Sequence, residues 1–369
     1  MSQTNVTDER HRRTIQQHWV KVVQEGLVSD AIEKLTYILP DFLEHVYCKN
    51  KQAGYFEQKR TYVGDENLVM QIDFSENYTI TYQDQVQSTH WNAQQVSLYT
   101  AVVWVAKDTV SYTVVSNYMH HDKYAVVCFN GLLTEDPKKR FPHLHTVDIF
   151  SDGAAQHFKQ KYTLCFITLS ESECHVKINW HFFATLHGKG AVDGIGRHVK
   201  RAVWNAVKAR QATVTDTASF AECAQSRTST NIMFVNESDV EAIKPKFDDN
   251  VEGCCGIPHI HKVHCVRSEG SYQVSCSLTS DEVGCRLSFR PTNSCLQVLP
   301  AVTEDAAAAG LPTAEHVTFA NWVVIMEVTD IGTAVLMTVK TSVNLAVKIV
   351  LHGLLTSQNV LLFSSNAHC

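Results

Sequence analysis

A chain of 369 residues with 44% apolar content is long enough to bury a sizeable core and, by length, to hold two or three domains. A formal net charge of −6 and a pI near 6.3 exclude a globally basic polyanion binder, so contact with nucleic acid needs a local basic face. No apolar run approaches the ~18–20 residues of a membrane span, and the polar start MSQTNVTDERHRR has no apolar signal core, so no membrane association and an intracellular place, nuclear or cytoplasmic, are expected.

Residues 1–66 read as a helical segment. Ile15–Val23 and Ala31–Tyr37 space their apolar residues as a helix does, and Pro40 is expected to interrupt between Leu39 and Phe42. Residues 67–212 carry the sharpest pattern. Leu68–Phe74, Asn77–Tyr82 and Val96–Val105 read as strands, with Gln83–Gln95 as a polar loop and Tyr112–Asn117 as a candidate edge strand. His121–Leu133 reads as a helix stopped near Pro137, and His145–Phe150 as the next strand. A helix over Ala154–Thr168 would place Phe158, Tyr162, Cys165 and Phe166 on one face, and a strand follows over His175–Phe183. Val192–Lys208 spaces Ile195, Val199, Val203 and Val207 four apart, with Lys200, Arg201 and Lys208 opposite, as an amphipathic helix does. Residues 213–369 read as a less regular β-rich region, with a low-complexity run at Ala306–Ala309 and strand-like stretches at Trp322–Val328 and Ala334–Val339. Three meandering strands followed by alternating helices and strands predict an α/β fold, a mixed sheet with helices on both faces. That is the ribonuclease H-like order.

Three acids stand at the ends of these elements. Asp73 closes the first strand, Asp152 follows the fourth, and Asp193 opens the last helix, with 79 residues between the first two and 41 between the second pair. Carboxylates at strand ends and a helix start converge on one rim of a sheet, where three of them suit a hard divalent cation such as Mg²⁺ or Mn²⁺. Each also has a local reading: Asp193 complements a helix dipole in a first turn, and Asp152-Gly153 is an ordinary turn pair. Glu76, three residues past Asp73, is a further candidate ligand or an exposed strand carboxylate. His187 and Lys189 flank the rim and Arg197 follows on the helix, so all three are candidates for nucleic-acid phosphates. Gly188-Lys189-Gly190 lacks the spacing of a phosphate-binding loop.

Asp73-Phe74-Ser75-Glu76-Asn77-Tyr78, Gln87-Ser88-Thr89-His90-Trp91-Asn92, His120-His121-Asp122-Lys123, Ser151-Asp152-Gly153-Ala154, and Trp180-His181-Phe182-Phe183 with His187 to Gly196 form a set. Over residues 35–265 that set resembles uncharacterised transposon-derived animal proteins, which are similar to DDE-type transposases with a ribonuclease H-like core. The resemblance implies a metal-binding acidic triad at Asp73, Asp152 and Asp193, DNA as partner and phosphodiester chemistry. No DNA-binding module is visible before residue 67, and the tail after about residue 290 resembles nothing in the family. A catalytically silent remnant that binds nucleic acid or protein therefore stands as the alternative, with an oligomeric state left open.

The twelve cysteines, in a chain expected inside the cell, read as thiols rather than a disulfide framework. Cys254, Cys255, His259, His261, His264 and Cys265 offer soft thiolate and imidazole ligands for Zn²⁺ at short spacings, without a Cys-x2-Cys pair. Buried thiols and surface histidines are the competing reading.

Overall fold

The computed structural model describes residues 28–81, 94–106, 108–185, 187–188 and 190–290, together with the strand segments 325–330, 334–340, 346–352 and 362–364. The expected helix over Ile15–Val23, the His90-Trp91 pair and the run Ala306–Ala309 lie outside the described residues. Two compact units divide the chain, residues 44–309 forming one, and 1–43 with 310–369 the other.

Helix α1 covers Val28–Thr61 and runs through Pro40 instead of breaking there. Proline removes a single N–H donor, and in a helix of 34 residues the flanking turns keep the rest of the hydrogen-bond ladder. Strands β1 (Asn67–Thr79), β2 (Gln95–Val105) and β3 (Asp108–Ser116) form an antiparallel meander. After helix α2 (Lys123–Arg140), strand β4 (Thr146–Ser151) pairs parallel to β1, and after α3 (Lys161–Cys174), β5 (Lys177–Phe182) pairs parallel to β4. The central order β3-β2-β1-β4-β5, with those senses, is ribonuclease H-like.

Leu68–Phe74 and Asn77–Tyr82, expected as two strands, are one. The β1–β2 register slips between Ser75 and Tyr78, and that irregularity breaks the sequence pattern without ending the strand. The neighbours of β1 are therefore β4 and β2, not a separate 77–82 strand. The 154–168 helix begins later than its apolar spacing suggests. Asp152 Oδ1 accepts from Ala154 N, and His157 N and Phe158 N both donate to Ala154 O, so the chain turns before α3 starts at Lys161.

The sheet continues past residue 212. Helices α4 (Ala191–Lys208) and α5 (Thr217–Arg227) lead to β6 (Asn231–Val235), which pairs parallel to β3 and removes it from the edge. Helix α6 (Glu237–Val251) precedes β7 (Cys265–Ser268), β8 (Gln273–Ser277) and β9 (Cys285–Ser288), which extend the other side in antiparallel fashion. Strands β10 (Ile325–Asp330), β11 (Ala334–Lys340), β12 (Ala346–His352) and β13 (Leu362–Ser364) make a separate antiparallel sheet.

Side chains alternate across β1, and each face meets different helices. Leu68, Met70 and Ile72 join a core with Val126, Phe129 and Leu133 of α2 and Phe166 and Ile167 of α3. On the opposite face Val69 packs with Phe150, Phe183, Tyr55 and Phe56, the last two from α1. Further along, Val96 and Leu98 meet Val199 and Val203 of α4 and Phe220 of α5. Among the described residues no helix is long and apolar enough to cross a membrane.

Candidate active site

The parallel pairing of β1 with β4 builds the rim. Gln71 stands opposite Phe150, so continuing the register by two residues sets Asp73 opposite Asp152. Asp152 directly follows β4, whereas Asp73, expected to close its strand, lies midway along β1 and still pairs with Thr100 of β2, beside the carboxyl end of the parallel β1–β4 pairing. Ligands of open α/β sheets bind at that edge. Beyond β5 the chain stays close: Phe183 N donates to Ser151 O at 2.9 Å, and Gln71 Nε2 donates to Gly188 O at 3.1 Å. A Cβ on Gly188 would lie 3.0 Å from Asp152 Cβ, and one on Gly190 would lie 2.6 Å from Gln71 Nε2. The two glycines thus let the backbone rest directly on β1 and β4, a role that spacing did not reveal. They deliver Asp193 to the start of α4, where its Oδ2 accepts from Gly190 N at 2.8 Å.

Electrostatics shows that the three acids share one field. Burial first, then the charges of Asp152 and Asp193, push the Asp73 carboxyl up to about 7. Oxygen-only carboxylate donors fit a hard divalent cation in kind. In placement, however, no group of three His, Cys, Asp or Glu side chains among the described residues is drawn around one point. Asp152 and Asp193 each give an oxygen to a nearby backbone N–H, of Ala154 and Gly190.

Other expected residues lie at varying distance from this centre. Glu76 is exposed in the slipped stretch of β1 and does not act on Asp73; its carbonyl accepts from Lys200 Nζ at 3.0 Å. His187 is exposed, with its ring centroid 5.2 Å from that of His45. Arg197 is exposed on α4. Lys189 lies outside the described residues. The zinc candidates are not brought together. Cys254 Sγ points to Asn250 O at 3.5 Å, the His264 ring faces the Lys262 and Leu278 carbonyls, and Cys265 is buried on β7 beside His181. Strand pairing commits Cys265 to the sheet, which separates it from the loop cysteines.

Two features escaped sequence reasoning. Lys159 is only 7% exposed; its Nζ donates to His261 O at 3.1 Å, lies 4.9 Å from the Phe182 ring centroid and feels the Asp152 charge. Burial lowers its amine to about 8. Its direct succession to the buried Phe158 was the available signal. Beside the rim, His121 stacks on Phe74 at 4.3 Å and His157 meets the same ring at 5.6 Å; burial pulls both imidazoles below their usual range.

The second feature is a buried polar network under α1. Asp148 accepts from Lys59 Nζ at 2.9 Å and Asn179 Nδ2 at 2.9 Å, and lies 3.1 Å from His181 Nε2. His181 Nδ1 is 2.8 Å from Ser280 Oγ, which also accepts from Gln52 Nε2. Asp148, His181, Ser280 and Gln52 are all buried, so this acid–imidazole–hydroxyl chain ties α1 to the sheet and has no access to a substrate. Burial opposes both charges, but the His181 and Lys59 partners hold the Asp148 carboxyl well below its ordinary range.

Residues 52–280 match the family described as a domain of unknown function (DUF8701). No curated protein matches the chain in sequence. Among solved structures, the human cytomegalovirus terminase nuclease domain, Mn soaked and inhibitor bound, is similar at 12% identity and a TM-score of 0.23, over 53% of this chain and 77% of that one. Strand order, not this likeness, carries the fold class.

Proposed function

The chain belongs to the DUF8701 family, and we propose that it is a nuclease-like or polynucleotidyl-transferase-like protein whose site is the rim of Asp73, Asp152 and Asp193. One observation carries the reading: the β1–β4 register and the close approach of Gly188 to Asp152 bring carboxylates from β1, the end of β4 and the start of α4 to one rim, where burial and then the charges of Asp152 and Asp193 raise the Asp73 carboxyl. A fold that gathers like charges at a sheet edge sustains a standing electrostatic penalty, and sites of function are where such penalties are kept. The motif likeness to DDE-type transposases supports the same residues and points to DNA. Mg²⁺ or Mn²⁺ held by these three acids would supply Lewis-acid activation of an attacking oxygen and of the leaving oxygen. The chain's own residues do the rest. Gln71 and the two glycines hold the 187–190 turn against Asp152, and α4 fixes Asp193 through Gly190.

The test is nicking or joining of plasmid DNA by the full chain with Mg²⁺ or Mn²⁺ and with chelator. Metal-dependent product that Asp73→Ala, Asp152→Ala and Asp193→Ala each abolish supports the reading, and because the acids act as a unit, double variants are expected to lose no more. A second reading, a catalytically silent binding protein, is favoured by a different observation: Asp152 and Asp193 both spend an oxygen on local N–H groups. It predicts no product under any metal, with the three variants binding DNA at least as well as wild type, since lost negative charge reduces repulsion of phosphates.

A further inference from the structure

Helix α4 does more than carry Asp193. Its inner face, Val192, Val199, Val203 and Val207, is buried on the sheet and on α5. Its outer face holds Arg197, Arg201, Trp204 and Lys208, spaced four, three and four residues apart and therefore on one stripe, and all four are exposed. A tryptophan 45% exposed on a helix with an otherwise regular apolar face is not explained by packing. Lys208 Nζ lies 4.6 Å from the Trp204 ring centroid, which joins a cation to an aromatic plane at the surface. Asp193 is the one acid in the 18 residues of a helix with four lysines and arginines, within a chain whose net charge is −6. Next to the stripe, His198, Arg201, Asn205 and Arg227 of α5 line an open cleft of about 580 Å³.

We propose that the outer face of α4 docks a single-stranded polynucleotide, with Arg197, Arg201 and Arg227 on its phosphates and Trp204 stacked on an unpaired base. Cations alone would suit any polyanion. The exposed indole narrows the occupant, because a base offers its face to stacking only when it is unpaired. The stripe runs from the acidic rim along the helix, so a strand lying on it leads to Asp193. This assignment of substrate rests on the nuclease-like reading only for its direction along α4; the binding itself is independent of cleavage.

The experiment is fluorescence anisotropy of a labelled oligothymidylate and of a duplex of equal length, titrated with the full chain in chelator. Wild type is expected to bind the single strand more tightly than the duplex. Trp204→Ala weakens single-strand binding by about tenfold with an unchanged salt slope, as loss of one stacked base does. Trp204→Phe keeps most of the affinity, which separates stacking from folding. Arg201→Ala lowers the single-strand salt slope by about 0.7, as loss of one phosphate contact does. Unchanged affinity in Trp204→Ala, tighter binding of the duplex, or no binding of either oligonucleotide overturns the proposal. Single-strand binding that depends on Trp204 without nicking under Mn²⁺ fails the nuclease reading alone. Nicking with Trp204→Ala binding unchanged fails this inference alone.

Discussion

Replacing Asp73 with asparagine keeps the shape of the side chain and removes its charge. The wild-type carboxyl is raised from 3.8 to about 7, by burial and by Asp152 and Asp193. At 1.36 kcal/mol per pH unit, holding it ionised in the folded state costs roughly 4 kcal/mol, an upper bound because neighbouring acids adjust. The sign follows from proton binding. The folded chain holds this proton more tightly than the unfolded chain, so the stability it contributes is full below about pH 4 and is lost as pH rises through about 7. Asp73→Asn is therefore expected to be more stable than wild type at pH 8, by up to about 4 kcal/mol, and close to it at pH 4. Urea unfolding in chelator at pH 4, 6 and 8, read by circular dichroism, measures the difference. Adding Mn²⁺ at pH 8 should stabilise wild type and leave Asp73→Asn nearly unmoved. A variant less stable than wild type at pH 8, or a difference that does not change with pH, would refute the acidic field on which the site is argued.

Three other substitutions probe the framework around that rim. Gly194→Ala meets no atom within 4 Å and should stabilise α4 by about 0.5–1 kcal/mol, whereas Gly196→Ala would set a Cβ 2.4 Å from Ser75 Oγ and should lower the urea midpoint despite the same gain in helix propensity. Asp148→Ala leaves the fully buried His181 and the part-exposed Lys59 without their acid and should cost about 3 kcal/mol, read from the same unfolding curves. Lys159→Met removes an amine lowered from 10.5 to about 8, whose penalty is complete below about 8 and fades by 10.5. Its melting temperature should therefore exceed wild type at pH 7, and the gain should shrink toward pH 10.

Local pattern was enough to read the elements that matter most. Apolar, β-branched runs placed β2, β4, β5 and the first half of β1, and the four-residue spacing of Val199, Val203 and Val207 placed α4 and its buried face, because apolar runs and helical spacing report which parts of an element leave water. Asp152 after β4 was legible for the same reason, since a charge that ends an apolar run marks where burial stops, whereas Asp73 ends an apolar run without ending β1. What pattern does not report is the partner. Only folding joined residues 67–79 across a register slip, brought β6 beside β3, and carried β7–β9 onto β5. Gln52 and Ser280, 228 residues apart, meet because α1 and the β8–β9 turn cover the same end of the sheet. Lys159 has its amine lowered by burial, beside the Phe182 ring and the His261 carbonyl, both remote in sequence. The cysteine–histidine run was close in sequence and still made no metal cluster, because pairing of β5 with β7 took Cys265 into the sheet and left its neighbours in loops. Burial follows from each residue's own chemistry, whereas proximity across the sheet is decided by the strand order that buries all of them together.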